Sequence, residues 1–224
     1  ILQKMKETAE KYLGQEVKQA VITVPAKYTA SQINATQKAA ELAGFEYVEL
    51  LQEPTAASIA YGIKSESSEG KWVVFDFGGG TFDAALMSVE DGIMKVIDTE
   101  GDNYLGGKNL DLAITDSILI PYLKENHSVS SHFESEKKIN ILKGALKKSA
   151  EQAKIDLSTS EKSAVYQEGF IEEADDGEEV DLDLTITLDQ YSDIVAPIFQ
   201  KAIDITLNLI KRNDLSSRDL SRVV

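Results

Sequence analysis

Residues 73–83 read Val-Val-Phe-Asp-Phe-Gly-Gly-Gly-Thr-Phe-Asp: an apolar run, three glycines and the start of a second apolar run. This pattern predicts two strands, Lys71 to Asp76 and Phe82 to Val89, joined across Gly78–Gly80. Glycine lets the backbone approach a ligand closely, and such a turn aims several N–H groups at one place. A nest of N–H groups binds anions, so the stretch predicts a phosphate-binding loop.

Three polar side chains flank this loop. Thr81 adds a hydroxyl donor, Asp76 ends the incoming strand and Asp83 lies near the start of the outgoing one. Two carboxylates beside a phosphate would repel it unless a cation lay between them, and Mg²⁺ binds a few carboxylates, often through its own waters. The pattern alone is equally compatible with a tight hairpin whose glycines only supply positive φ angles.

The residues outward from the loop alternate between strand and helix patterns, which predicts an α/β fold. Strands are expected at Gln19 to Val24, Glu46 to Leu51 and Ile93 to Thr99, the last one entered through an Asp91-Gly92 hairpin turn. Thr29–Gln32 has the sequence of a capping box and should open an alanine-rich helix.

The second half of the chain is predicted to be mainly helical. Two strands, 163–167 and 182–188, should flank the acidic segment Glu172–Glu179, which we expect to be a solvated loop tip. His127 and His132 lie in a polar segment and are expected at the surface rather than as ligands. Two apolar stripes at helical spacing predict two long helices: Ile139, Leu142, Leu146, Ala150, Ala153 and Leu157, and Val195, Ile198, Ala202, Ile205 and Leu209.

Composition narrows the range of partners. The 224 residues carry a formal net charge of −15 at pH 7 and include no cysteine. An acidic surface repels nucleic-acid phosphates and anionic lipid headgroups, so neither nucleic acid nor membrane is an expected partner. A reducing compartment fits the lack of cysteine, and we expect a cytoplasmic location. The first residue, Ile1, and the strand-like end at Arg222 are interpreted as cuts within a longer protein.

Four segments together resemble the heat-shock protein 70 family of DnaK-type chaperones, in the order and at the spacing of that family. Residues 75–83 are similar to the family's second phosphate motif, and residues 20–44, 50–62 and 101–111 resemble further family segments. The resemblance implies an actin-like ATPase (ribonuclease H-like) fold, with part of a first lobe and most of a second.

The same resemblance implies a division of the chain into lobes. Residues 1–63 would be the C-terminal part of the first lobe with its connecting helix, and residues 64–224 the second lobe, with the boundary in the polar stretch Ser65–Gly70. The second lobe would comprise a sheet with the phosphate loop (71–105), a helical subdomain (106–190) and a return helix (191–224).

The function implied by the resemblance is that of an ATP-binding domain fragment. In the parent protein, ATP hydrolysis would be coupled to the binding and release of unfolded polypeptides through a substrate domain not contained in this sequence. The implied cofactors are ATP or ADP and magnesium, and the implied partners are a J-domain cochaperone and a nucleotide-exchange factor. Two alternatives stay open: a nucleotide-holding exchange or cochaperone-type relative with little hydrolysis, and a sugar-kinase-like enzyme of the same fold, which the chaperone-like segments disfavour.

Several site residues follow from the resemblance. Gly78, Gly79, Gly80 and Thr81 correspond to the loop that holds the β- and γ-phosphates. Gly106 and Gly107 match a glycine pair near the nucleotide; without the resemblance they would be a loop before a helix N-terminus, which also suits an anion.

The predicted catalytic residues are acidic, apart from Thr81. Asp76 and Asp83 match aspartates that organise magnesium through water and also the attacking water. Glu53, which precedes Pro54, matches a glutamate close to the magnesium in the connection between lobes. Its alternative interpretation is an acidic residue in a helix first turn, favoured by the helix dipole.

Glu151, Lys154 and Ser158 are the predicted residues of the adenosine side. Their spacing of three and then four residues places them on one face of a helix, where a Glu–Lys pair is more often a solvated ion pair than a ligand site. Their helix resembles the family helix that grips adenosine.

The chain also departs from the family pattern. Lys108–Asn109 stand where the family usually has Glu-Asp, Tyr104 replaces a common histidine, and Pro121 is expected to interrupt the helix that follows Asp111. The family's first phosphate loop, catalytic lysine and adenine-closing loop have no counterpart in the sequence. We therefore expect the chain alone to bind ATP weakly or not at all, and not to hydrolyse it at a useful rate.

Overall fold

The structure is a computed structural model that describes residues 1–62 and 69–224. Its helices and strands alternate in the first half of the chain, and longer helices dominate the second half. The helices are α1 (Leu2–Leu13), α2 (Ala30–Leu42), α3 (Glu53–Gly62), α4 (Gly107–Ile114), α5 (Ile120–Asn126), α6 (Glu136–Asp156) and α7 (Leu188–Arg212). The strands are β1 (Gln19–Val24), β2 (Tyr47–Gln52), β3 (Gly70–Phe77), β4 (Phe82–Glu90), β5 (Ile93–Asp102), β6 (Lys162–Ile171), β7 (Val180–Thr187) and β8 (Leu220–Val223).

The described chain divides into two compact units, Ile1–Leu105 with Ala202–Val224, and Gly106–Lys201. The predicted boundary between lobes falls mainly on residues 63–68, which lie outside the described residues, so the division at residue 63 stays a prediction. The expected return helix ends at Arg212, and the residues after it form a short 3₁₀ turn (Ser217–Asp219) and β8.

The central sheet of the first unit has the strand order β5-β4-β3-β8. β3, β4 and β5 form an antiparallel meander, whereas β8 pairs with β3 in parallel. Asp91 and Gly92 have φ angles of 50° and 75°, as a two-residue hairpin turn requires, and this confirms the predicted turn. β4 lies between β5 and β3 and is buried from Phe82 to Val89. The glycine loop 78–80 leads directly into this buried strand.

A two-stranded parallel sheet, β1 with β2, precedes the central sheet in sequence. β1 spans the predicted residues Gln19–Val24. The predicted capping box at α2 is also confirmed: the Thr29 hydroxyl accepts from the Gln32 backbone N–H, and the Gln32 side chain accepts from the Thr29 backbone N–H. α1 has no buried residue.

The second unit is built around α6. Its predicted apolar stripe is buried at Leu142, Leu146, Ala150 and Ala153, and packs in one core with residues of α5, β6 and β7. In the described part of this unit, α7 begins at Leu188 and buries Val195.

The α-helix that follows Asp111 is interrupted before Pro121, as expected, but the chain remains helical through the interruption. Five residues in π-helical conformation, Thr115–Leu119, connect α4 to α5, and the Ile120 N–H bonds to the Thr115 carbonyl. Proline has no N–H to donate, and the widened turn accommodates it near the start of α5.

Of two other expectations for this unit, one is confirmed and one is corrected. The acidic segment Glu172–Glu179 is, as predicted, a largely exposed connection between β6 and β7, although Ala174 within it is buried and the Asp175 carboxylate accepts from the Ser131 N–H. His127 is not a surface residue, because it is half-buried, its Nε2 atom is buried and its ring lies edge-on to that of Tyr122. Among the described residues, no helix combines the length and hydropathy needed to cross a membrane.

Candidate functional site

The glycine loop lies at the β3–β4 turn of the central sheet. It is closed by a hydrogen bond of 2.9 Å from the Gly78 N–H to the Thr81 carbonyl. Neither Gly78 nor Gly79 has a φ angle in the left-handed region, so the alternative interpretation, glycines that only supply positive φ, does not hold for these two. A Cβ atom on Gly79 would meet no atom within 4 Å. The open space above Gly79 is therefore available to a ligand.

Asp76 and Asp83 lie at the base of the loop. They are direct cross-strand partners of the antiparallel pair β3–β4, and directly opposed residues point to the same face of a sheet. Asp83 is only 1% exposed. Its Oδ1 atom accepts a hydrogen bond of 3.2 Å from the Lys27 backbone N–H, while its Oδ2 atom is buried without a hydrogen-bond partner.

Glu53 joins the electrostatic environment of these two aspartates. It is the first residue of α3 and is half-buried. Burial raises the pKa of Glu53, and the negative charges of Asp76 and Asp83 raise it further. Burial is also the main cause that raises the pKa of Asp76 and that of Asp83. The structure thus brings together three carboxyl groups, each of which resists ionisation where it stands.

An open cleft of about 900 Å³ includes two of the predicted site residues, Glu53 and Thr81, in its lining. Its wall also includes Val24 and Pro25 at the end of β1, and part of α2. Thr81 and Glu53 are half-buried, so the cleft gives them access to a solvated ligand.

The acidic residues fit a magnesium ion held through water. Among the described residues, no three His, Cys, Asp or Glu side chains lie close enough to ligate one metal ion together. Mg²⁺ commonly keeps several waters and takes one or two carboxylates besides substrate phosphates. The unpartnered Asp83 Oδ2 and the opposed Asp76 carboxylate offer such a donor set.

Three residues at this site were missed in the sequence. Lys27 follows β1 and binds Asp83 through its backbone, and Asn103 donates from Nδ2 to the Lys27 carbonyl at 3.3 Å. Gly101 pairs with Asp83 across β4 and β5, and a Cβ there would lie 2.5 Å from the Phe82 carbonyl oxygen. Gly101 is the first residue of the family-like segment 101–111, and this resemblance was the only feature of the sequence that could have indicated its role. Nothing in the sequence around Lys27 indicates that its backbone binds Asp83.

Gly106 and Gly107 belong to the second unit, at the start of α4. The Gly106 N–H donates to Asn109 Oδ1 at 2.8 Å, which caps the helix. The departure from the family pattern at Lys108–Asn109 therefore supplies a capping side chain, and asparagine is well suited to bonds of this type.

Of the three residues predicted for the adenosine side, Glu151 and Lys154 lie on α6, whereas Ser158 lies in the turn that follows the helix. Glu151 and Ser158 are exposed, and the Ser158 hydroxyl donates to the Ile155 carbonyl in the last turn of α6 at 2.6 Å. Lys154 is half-buried, and its Nζ atom lies 2.6 Å from Oδ1 of Asp111 on α4. One N–H donor of the Lys154 ammonium is therefore bonded to the buried carboxylate of Asp111.

A comparison with protein families gives a match over the whole chain. The model of the family described as Hsp70 protein matches residues 1–224. Members of this family are chaperones whose ATP-binding domain has the actin-like ATPase fold, and the mixed α/β architecture with its separate sheets agrees with part of such a domain. The chain belongs to the Hsp70 protein family.

Proposed function

We propose that this chain is the part of a DnaK-type chaperone that holds the phosphates of ATP, and that the whole protein couples ATP hydrolysis to the binding and release of unfolded polypeptides. One observation carries the proposal: Asp76 and Asp83 face each other directly below a glycine loop whose Gly79 is open to solvent. Like charges directly opposed in a sheet are destabilising. A bound cation and phosphate would explain why two carboxylates, Asp76 and Asp83, are directly opposed at this position.

Each residue of the loop has a distinct role in this proposal. The N–H groups of Gly79 and Gly80 and the hydroxyl of Thr81 donate to the β- and γ-phosphate oxygens. Preorganised donors of this kind stabilise the charge that develops on the transferring phosphoryl group. Asp76, Asp83 and Glu53 would hold magnesium through its waters and orient the water that attacks the γ-phosphorus. Magnesium, when bound, neutralises charge on the phosphates.

The same proposal covers the nucleoside part of ATP and the partners of the whole protein. Glu151, Lys154 and Ser158 would contact adenosine, with the Gly106–Gly107 turn near the nucleotide. The family membership supports unfolded polypeptides, a J-domain cochaperone and a nucleotide-exchange factor as partners of the whole protein. A cytoplasmic location stays a prediction. No observation on residues 1–62 and 69–224 favours the alternative of a nucleotide-holding relative with little hydrolysis.

The phosphate loop can be tested by NMR titration with Mg²⁺ and inorganic pyrophosphate, which detects weak binding. The amide signals of residues 78–81 of the wild-type chain should shift. Gly79→Ala should keep the fold, because its Cβ meets nothing and its φ is ordinary. The methyl group should occupy the space of a phosphate oxygen and weaken binding by about tenfold, the loss expected from one disrupted charge-assisted hydrogen bond.

The matched control is Gly144→Ala on α6. A Cβ on Gly144 also meets no atom within 4 Å, and this residue is far in sequence from the loop. The control should bind pyrophosphate as the wild type does. Wild-type spectra that do not change at millimolar pyrophosphate, or shifts that leave residues 78–81 unaffected, would overturn the proposal.

A further inference from the structure

Asp111 and Lys154 form a largely buried ion pair. The exposed fractions of the two side chains are 7% and 22%, and the Nζ–Oδ1 distance of 2.6 Å is that of a short, charge-assisted hydrogen bond. Burial raises the pKa of the Tyr191 phenol, and the negative charge of Asp111 raises it further.

Burial of such a pair is costly. Both groups lose their hydration, and this loss commonly exceeds the attraction between them. Burial of an ion pair is therefore weak evidence that the pair serves to stabilise the fold. It does, however, fix the positions of both charged groups.

An exposed pair already bridges the same two parts of the chain. Asp116 lies in the π-helical turn after α4, and its carboxylate is 2.8 Å from Nζ of Lys143 on α6, with exposed fractions of 45% and 32%. Since a bridge between these segments can be made in solvent, holding them together does not account for the burial of Asp111.

The pairing leaves Lys154 able to bind a ligand. A lysine ammonium has three N–H donors, of which Asp111 takes one in this structure. A long lysine side chain normally samples many rotamers, and the buried carboxylate restrains this one. Lys154 lies on α6 one turn after Glu151, and Ser158 follows it in the turn after the helix; Glu151 and Ser158 are both exposed.

We propose that Asp111 is a positioning residue for nucleoside binding: it holds the Lys154 ammonium in place so that the remaining donors meet acceptor atoms of the nucleoside. This inference rests on the proposed function, because it takes the Glu151–Lys154–Ser158 face as the nucleoside side. The inference adds Asp111, which lies outside that face and would affect nucleoside binding only through Lys154.

The test compares Mg²⁺–ADP with Mg²⁺–pyrophosphate in NMR titrations of the whole chain, with Asp111→Asn as the variant. The wild type should bind ADP more tightly than pyrophosphate and show shifts at residues 151–158 with ADP only. Asn has the shape of Asp but carries no charge, so the charge-assisted bond that restrains Lys154 is weakened with little change of packing. We expect ADP affinity to fall by about tenfold and pyrophosphate affinity to stay unchanged.

The matched control is Asp116→Asn, which removes the exposed bridge to Lys143 and should leave both affinities unchanged. If the role of Asp111 were purely structural, Asp111→Asn would lower the affinities for ADP and pyrophosphate together, or would change neither. Either result would overturn the inference. Equal loss of ADP affinity in both variants would overturn it as well. If the wild type binds pyrophosphate but gains nothing from the nucleoside, the inference fails while the phosphate site stands; if it binds neither, the proposed function fails too.

A second variant covers the case in which Asp111→Asn does not fold. Asp111→Asn combined with Lys154→Met removes both charges and leaves none buried alone, a change that buried pairs often tolerate. Because Asp111 acts only through Lys154 in this proposal, the double variant should lose the nucleoside contribution and keep pyrophosphate binding. A double variant with wild-type ADP affinity would overturn the inference.

Discussion

At the residue scale, Gly79 and Gly101 show that glycine meets two different needs in this site. Gly79 lies in the open and has an ordinary φ, so its missing side chain leaves room for something that binds. Gly101 is enclosed, since a Cβ would lie 2.5 Å from the Phe82 carbonyl oxygen and 3.1 Å from Asp83 Oδ1. The first glycine serves a ligand, and the second serves the packing of β4 against β5.

Asp76→Asn should raise the Tm of the chain at neutral pH in the absence of magnesium. Burial raises the pKa of Asp76 in the folded state, so the folded chain holds this proton more tightly than the unfolded chain does. The stability of the wild type therefore falls as pH rises from the ordinary aspartate pKa, about 4, through the raised folded value. Asparagine does not titrate, so the advantage of the variant should grow over the same range.

The measurement is thermal unfolding from about pH 4 to about pH 7, with the exposed Asp193→Asn as control. Added Mg²⁺ should stabilise the wild type more than Asp76→Asn and so narrow the difference. A variant that is less stable than the wild type at neutral pH would show that the Asp76 charge is already compensated within the chain.

At the element scale, the end of α7 is tied to the edge strand β5 by one arginine. The Arg212 guanidinium bonds both carboxylate oxygens of Asp98, at 2.7 and 2.9 Å, the Glu100 carboxylate and the Thr99 carbonyl. Glu100 also pairs with Nζ of Lys27 at 3.1 Å. The ties connect α7, β5 and the segment after β1 near the candidate site.

Arg212→Met should lower the Tm at neutral pH, by the equivalent of about 1 kcal/mol at most, since the groups are partly exposed and screened by solvent. The hydrogen bond from Arg212 is the main cause that lowers the pKa of Asp98 to about 2. A depressed carboxyl pKa stabilises the fold above the ordinary value of about 4, and this contribution is lost as pH falls through the folded value.

Thermal melts of Arg212→Met and the wild type should therefore converge between about pH 4 and about pH 2. The exposed Arg218→Met serves as the charge-matched control and should follow the wild type throughout. A difference that persists unchanged at the acid end would indicate that lost packing of the arginine stem, rather than the ion pair, lowers the Tm.

At the scale of the whole molecule, the described chain has two compact units with separate cores. The core of Gly106–Lys201 is centred on α6 and includes Leu146 and Leu182, while one face of the central sheet buries Trp72 and Met87. The residues proposed for the phosphates belong to the first unit and those proposed for the nucleoside to the second.

The chain by itself should not release phosphate from ATP above background. Transition-state stabilisation needs donors on both sides of the transferring phosphoryl group, and the described site supplies one glycine loop without a lysine or arginine in residues 78–81. Loss of a single donor of this type commonly costs a factor of about 10² to 10³ in rate. A phosphate-release assay, alongside calorimetric titration with ATP and Mg²⁺, measures both steps. Micromolar binding with steady release would contradict the expectation.

The sequence by itself determined the parts of this protein whose hydrogen bonds are satisfied within a few residues. The bounds of β1, the Thr29–Gln32 capping box and the Asp91-Gly92 turn all follow from neighbours along the chain. The glycine loop and its two aspartates were also readable, because an antiparallel turn between adjacent strands fixes which residues face each other.

Only the tertiary structure decided which distant groups meet. Lys27 bonds Asp83 across 56 residues and Lys154 pairs with Asp111 across 43, and neither pairing leaves a periodic or local trace in the sequence. Pro121 indicated an interruption of the helix but not its form, which is a π-helical segment that continues into α5 and ends at Asn126. The physical reason is that these outcomes depend on burial: a buried charge takes whichever partner packing brings to it, and spacing along the chain does not specify that partner.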